Sequence, residues 1–195
     1  MPISLSDFSF KKLDISKPVD FDCGDADLNE FFTKDAKFYQ EQLLANTYYW
    51  EKNNKIAAMF SVSNDAIQLS NREKRKTHPE KPLRAYPAVK IGRLAVSTEY
   101  QKKGLGRQVL DFLKILFLIK NKTGCRYLTV DAYNKPGTTG FYEKNDFKFL
   151  TKSDIDKETR TMYFDLMPFY KRLEIDREAQ RISVRIIKDY LDLCL

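Results

Sequence analysis

Residues Ile91–Gln108, IGRLAVSTEYQKKGLGRQ, decide the fold. They read as an apolar strand, a polar turn, a Gly-rich loop and the first turn of a helix. Gln101, Gly104 and Gly106 make the pattern Q-x-x-G-x-G, and two of the chain's seven glycines fall in this loop. Glycine allows positive φ and lets a ligand approach bare peptide N–H groups. A helix that starts at such a loop aims its free N–H groups and its positive dipole end at whatever lies there. That arrangement suits phosphate. Lys102, Lys103 and Arg107 add charge fit for a pyrophosphate. The Walker pattern G-x-x-x-x-G-K-[S/T] is absent, so an NTPase is not indicated. A dinucleotide fold would place its glycines directly after the strand, whereas seven residues, Ser97 to Lys103, intervene here.

Downstream, Val109, Leu110, Leu113, Leu116 and Phe117 fall at helical spacing, and Phe112, Ile115 and Ile119 widen that face. Arg107, Asp111 and Lys114 leave a narrow wet stripe, so the helix is predicted to be nearly buried. Residues Asn121 to Gly124 end it, and Tyr127 to Ala132 is the next strand. Strand, helix and strand in succession make a right-handed crossover, so strands 88–96 and 127–132 are predicted to be parallel. Ligands in such sheets bind beyond the carboxyl ends of the strands, where Gly104 and Asn134 both fall. The turn Asn134–Gly137 leads to a short helix carrying Phe141 and Tyr142, which Asn145 and Asp146 stop. A phenol, with a pKa of about 10, can protonate a thiolate of comparable basicity. Strands are expected at Phe147–Leu150 and Thr161–Met167, the latter ended by Pro168.

Upstream, Phe8–Ile15 is a first strand. Asp25 or Asp27 caps a helix over about 26–44, with Glu30 placed as a capping-box partner of Asp27. Leu28, Phe31, Phe32, Ala36, Tyr39 and Leu43 form its apolar face, expected to meet the core. Thr47–Glu51 and Ile56–Val62 flank the turn Lys52–Lys55 and make an antiparallel hairpin. Gly92 within its strand points to a bulge or a close backbone approach. Residues 70–87 carry three prolines and read as a loop, with seven Lys or Arg against two Glu from Arg72 to Lys90. Such a run is either a solvated face or a basic lip for a phosphate-bearing substrate. At the C-terminus Ile175, Ala179, Ile182, Ile186, Tyr190 and Leu193 lie at helical spacing, with Arg177, Arg185, Lys188 and Asp192 mostly opposite. This helix either docks on the domain or pairs with a second copy. The expected division is a domain over 1–167 and a helical extension over 168–195.

The composition, 43% apolar and 31% charged, is that of a soluble protein, and the net charge of +7 either favours acidic partners or simply keeps the protein in solution. No run long and apolar enough to span a membrane and no secretory signal is present, and the three dispersed cysteines suit a reducing cytoplasm. With His78 the sole histidine, a His-based metal site or catalytic triad is not expected.

Strand 88–96, the QKKGLG loop and N-x(7)-Y ending in FYEKNDF together resemble the GNAT superfamily of acyl-CoA-dependent N-acetyltransferases, over roughly residues 8–167. The resemblance implies an α+β fold: a central mixed, mostly antiparallel sheet, helices on both faces, and a parallel strand pair splayed at the acyl-CoA site. It implies acetyl-CoA as co-substrate, no metal, and a primary amine on a small molecule, protein or aminoacyl-tRNA as acceptor. The loop Gln101, Lys102, Lys103, Gly104, Leu105 and Gly106, with Arg107, would hold the CoA pyrophosphate. Backbone groups of Leu94 and Val96 would pair with the pantetheine arm, and a backbone N–H at or near Val96 would stabilise the oxyanion. Asn134 would contact CoA, and Tyr142 would protonate the departing thiolate. Many members carry a Glu on the central strand; Lys90, Gly92 and Arg93 stand here instead, so no general base is assigned, and a neighbouring residue acting through water, such as Asp65, is one candidate. FDCGDADLNEFF followed by IGRLAVSTEYQKKGLGRQVL is similar to the branch of acetyltransferase toxins that modify aminoacyl-tRNA and pair with an antitoxin. A non-catalytic acyl-CoA-binding module is the remaining alternative.

Overall fold

Alternating apolar residues organise one sheet. The computed structural model describes residues 3–77, 80–119 and 123–179. Its strands are β1 (Ser9–Lys12), β2 (Asn46–Lys52), β3 (Lys55–Ile67), β4 (Tyr86–Val96), β5 (Tyr127–Tyr133), β6 (Lys148–Phe149) and β7 (Thr159–Asp165). They lie in the order β1-β2-β3-β4-β5-β7-β6. Every neighbouring pair is antiparallel except β4 and β5, which are parallel, as the crossover requires. The β2–β3 turn places Asn53 at φ 53° and Asn54 at φ 60°. Both central residues are thus left-handed, the type I′ geometry that matches strand twist and suits asparagine.

The bulge anticipated at Gly92 lies in β4. Ser61 pairs with Arg93 but Val62 pairs with Ile91, so Gly92 is the extra residue. A Cβ there would sit 3.1 Å from Ser61 Oγ. Parallel pairing with β5 ends at Ile91–Val130, next to this bulge, and the two strands separate beyond it.

Helices cover both faces. On one, α4 (Leu105–Ile119) seats Leu105, Val109, Leu110 and Leu113 on Phe60, Val89, Ile91 and Leu128. Trp50 is fully buried here, with ring centroids 4.8 Å from Phe10 and 5.0 Å from Phe112. Trp50→Ala is expected to lower unfolding stability by about 3–5 kcal/mol, measured by chemical denaturation. Lys114, expected on the wet stripe, is instead buried. Its Nζ pairs with Asp111 at 3.1 Å and lies 4.6 Å from the Phe164 ring centre. The start of α6 (Leu166–Ala179) packs over it, with Phe169 against Phe164. Strand β7 therefore ends at Asp165, and Pro168 sits in the first turn of α6, where a missing N–H costs nothing. Residues 180–195 and His78 lie outside the described residues.

On the other face, α1 (Ala26–Glu30) continues through a π-helical turn (Phe31–Asp35) into α2 (Ala36–Glu41). Asp25 is the cap, accepting the Leu28 N–H at 3.1 Å. The expected box does not form, because Glu30 pairs with Lys34 and Asp27 bonds elsewhere. The predicted apolar stripe is only half right. Phe31, Phe32 and Ala36 are buried against Met59 and Ala95, but Tyr39 and Leu43 are exposed. The wider π turn rotates later residues out of the 3.6-residue phase. The predicted 70–87 loop contains a further helix, α3 (Asn71–Thr77). Ser70 Oγ accepts the Glu73 N–H, the S-x-x-E signature that the charge run obscured. Thr77 then bonds the Tyr127 hydroxyl at 3.0 Å.

Candidate active site

The short helix α5 (Pro136–Glu143) follows β5 directly, and α4 follows β4 through the Gly-rich loop. Both helices therefore begin where the parallel strands diverge. Ser97 donates its N–H to Ala57 on β3 at 2.9 Å. Backbone groups alternate sides along a strand, so those of Val96 and Leu94 face the opposite edge, which β5 has left. One of them is engaged: Gln101 Nε2 donates to Val96 C=O at 3.0 Å and to Cys23 C=O at 2.7 Å. The Gln101 side chain thus ties the loop down. Lys102 (φ 58°) and Gly104 (φ 82°) are both left-handed. Gly106 has ordinary φ, but a Cβ on it would stand 3.4 Å from the Phe141 ring and 3.7 Å from Val96. The helix N–H groups of Leu105, Gly106 and Arg107 precede the Gln108 N–H, which bonds Gly104 C=O. They are the unpaired donors at the helix start. The Leu105 side chain is buried, Lys103 Nζ donates to Glu99 C=O, and Arg107 lies 3.7 Å from Asp111.

A cavity of about 930 Å³ occupies the splay. Leu94, Gln101, Lys102 and Tyr142 line its loop side, while Ser63, Lys90 and Asp131 form a polar floor. Tyr142 is buried between the rings of Phe141 and Phe147, at 5.2 and 5.4 Å. Burial pushes its phenol pKa well above the ordinary range, so it stays protonated. No described side chain is bonded to its hydroxyl. Asn134 lies outside the cavity lining; its Nδ2 donates to Ile155 C=O and Lys157 C=O, pinning the β6–β7 connection. Asp65 accepts from Thr129 at 2.5 Å and is likewise outside the lining.

Two charged clusters escaped sequence reading. Lys90 pairs with Asp131, which also accepts from Thr161 at 2.8 Å. Burial acts to raise the Asp131 pKa, but these two donors outweigh it and hold the carboxyl below its ordinary value. The second cluster bridges α1 to both strands: Tyr133 donates to Asp27 at 2.6 Å, and Arg93 Nε lies 3.7 Å from the same carboxylate. The signal was in β5, where Thr129, Asp131 and Tyr133 alternate with apolar Leu128, Val130 and Ala132. One face of a central strand was left polar.

The Asp27 bond lifts the Tyr133 phenol to about 12. A raised acid contributes stability fully below its unfolded pKa of about 10, and that contribution is lost as pH rises through the folded value. Asp27→Asn is therefore expected to bring one phenol ionisation back toward 10 in an ultraviolet absorbance titration. An unchanged titration would remove this bond from the solution structure.

The family model for the acetyltransferase (GNAT) domain matches residues 45–149, more than half of the chain, and the chain belongs to that family. It is an N-acetyltransferase, and acetyl-CoA is its acetyl donor. Solved structures of similar fold include AtaT complexed with acetyl-methionyl-tRNAfMet, at 19% identity and TM-score 0.71, spanning 86% of this chain and 99% of that one. AtaTR bound with AcCoA aligns at 19% identity and TM-score 0.69 over 86% and 99% of the two chains. The KacTA–DNA complex aligns at 18% identity and TM-score 0.65 over 87% and 99%. At these identities the likeness is one of fold. Among the described residues no helix is long and apolar enough to cross a membrane, and no group of three His, Cys, Asp or Glu is placed to hold a metal ion.

Proposed function

We propose that Tyr142 is the acid of a direct acetyl transfer carried out in the splay between β4 and β5. The observation that carries this is a buried phenol that lines the same cavity as Gln101 and Lys102 of the loop and Leu94 of the diverging strand. The helix N–H groups of Leu105, Gly106 and Arg107, with Lys102, Lys103 and Gly104, hold the CoA pyrophosphate. Backbone groups of Leu94 and Val96 receive the pantetheine arm as an added strand would be received. The Gln101 side chain supports this seat by its bonds to Val96 and Cys23. Asn134, expected to contact CoA, spends its Nδ2 on Ile155 and Lys157, so any contact with CoA would come from its Oδ1. A neutral amine attacks the thioester carbonyl, forming the C–N bond. The C–S bond then breaks, the thiolate takes the Tyr142 proton, and the new amide nitrogen gives up its extra proton to water. A backbone N–H at or near Val96 stabilises the oxyanion. The α-amine of an aminoacyl group, with a pKa of about 8, needs less help from a base than a lysine.

A specific observation favours aminoacyl-tRNA among the acceptors. Helix α3 carries Arg72, Lys74, Arg75 and Lys76 against the single carboxylate Glu73, on a chain of net charge +7. The similar fold of AtaT complexed with acetyl-methionyl-tRNAfMet points the same way. An antitoxin partner belongs to this reading, as does a homodimer through a helical extension over 168–195 beside the domain 1–167. The test is incubation of a cell extract with the protein and labelled acetyl-CoA, scoring small molecules, protein and tRNA separately. Label in tRNA is expected; label confined to protein or metabolites would overturn the tRNA acceptor. Expression from a tight promoter should also arrest growth.

A further inference from the structure

The end of α2 is costly to the fold. Phe38, Tyr39, Leu43 and Leu44 are 56%, 40%, 92% and 53% exposed. They are four of the nine exposed large apolar residues in the described structure, within one seven-residue stretch. Leu43 also adopts φ 57°, while its N–H bonds Gln40 C=O and the Leu44 N–H bonds Tyr39 C=O. This is the left-handed helix stop at which glycine is usual, because a Cβ is strained there. A leucine at this position is both strained and unburied, so the fold gains nothing from it. Backbone strain of this kind gathers at functional sites.

What lies beside it identifies the occupant. Tyr39, Leu44 and Ala45 line the same cavity as Lys90, Asp131 and Tyr142, joined by Leu28 and Phe31. One wall is therefore apolar and the floor is polar. An acceptor with its amine near Tyr142 can lay its neighbouring substituent against that wall, since both line one cavity. Asp25 and Arg93 share the lining, with the Arg93 guanidinium 5.1 Å over the Phe31 ring, so the uncharged part of the wall is Tyr39, Leu44 and Ala45. A charged substituent would lose water against that part, whereas an aliphatic or aromatic one removes apolar surface from water on both sides.

We propose that Tyr39, Leu43 and Leu44 form an acceptor-specificity wall, and that the acceptor is the α-amine of an aliphatic or aromatic amino-acid residue. This rests on the transfer reading above and names its substrate class. Leu43 is not itself in the cavity lining; it directly precedes Leu44, is 92% exposed, and extends the wall past the cavity.

The experiment measures kcat/KM for leucinamide, phenylalaninamide, glycinamide and the α-amide of aspartic acid at saturating acetyl-CoA. Leucinamide and phenylalaninamide are expected to exceed the other two by about tenfold or more. In Leu43→Gly and in Leu44→Ser that preference should fall to about threefold or less. Leu43→Gly should melt no lower than the parent, because it relieves the left-handed strain, so a lost preference cannot be laid to misfolding. A preference that is absent, or that survives both substitutions, overturns the wall while leaving the transfer reading intact. So does a Leu43→Gly chain that passes from dimer to monomer in sedimentation with an unaltered preference, since the patch would then join two copies. No CoA release from any of the four amides, in a protein that still labels tRNA, overturns the wall; none with tRNA either, despite acetyl-CoA binding, overturns both.

Discussion

Tyr142→Phe is expected to lower kcat by about 10²–10⁴-fold, the range a positioned general acid supplies. Acetyl-CoA affinity should stay within about twofold, because the substitution removes only a hydroxyl that no described side chain bonds and keeps the ring between Phe141 and Phe147. The unfolding midpoint should barely move for the same reason. Stopped-flow or steady-state release of CoA, with calorimetry for binding, separates the three quantities. The pH dependence carries a second signature. Burial raises the Tyr142 pKa, so its acid form persists throughout the working range. The kcat/KM profile is then expected to rise with ionisation of the acceptor amine, near pH 8 for an α-amine, and to show no fall below about pH 10. Unchanged kcat in the Phe variant would remove Tyr142 from the chemistry. A descending limb near neutrality would assign the acid to another group.

Gly106→Val is expected to weaken acetyl-CoA binding by about tenfold or more, equivalent to about 1.4 kcal/mol. A Cβ already stands at ordinary contact from the Phe141 ring and Val96, and the two methyls of valine must push one of them away. Phe141 shares α5 with Tyr142, and Val96 ends the strand proposed to receive the pantetheine, so the displacement reaches the proposed donor seat and the proposed acid together. Gly104→Ala should behave differently. Its Cβ would meet nothing within 4 Å, and only the φ of 82° opposes it. A stability loss of about 1–2 kcal/mol is expected, with a smaller effect on acetyl-CoA than Gly106→Val shows. Equal effects from the two substitutions would mean that Gly106 serves backbone freedom as well, contrary to its ordinary φ.

The two glycines illustrate how far a chain can be read before it is folded. Q-x-x-G-x-G marked both as parts of one phosphate loop, but a motif does not say that one permits a left-handed turn and the other makes room for an aromatic ring 35 residues later. Ser70 and Glu73 carried a helix start that the surrounding charges and prolines concealed. Tyr39 and Leu43 went the other way. Their spacing was helical, yet the π turn at Phe31–Asp35 shifted the phase and delivered them to the cavity wall and the surface.

While the single mixed sheet came with the family resemblance, local pattern and spacing by themselves determined the β2–β3 hairpin, the parallel β4–β5 crossover and the placing of the Gly-rich loop at a helix start. These features depend on periods of two and 3.6 residues, on turn chemistry and on chain handedness, all of which are short-range. Only the tertiary structure decided which groups share the cavity. Asp27 meets Tyr133 and Arg93, Lys90 meets Asp131, and Leu44 faces the same space as Tyr142. Those meetings follow from the divergence of two strands past a single bulged residue and from a helix phase shift. Both are small local irregularities whose consequence is set by how distant segments pack around them.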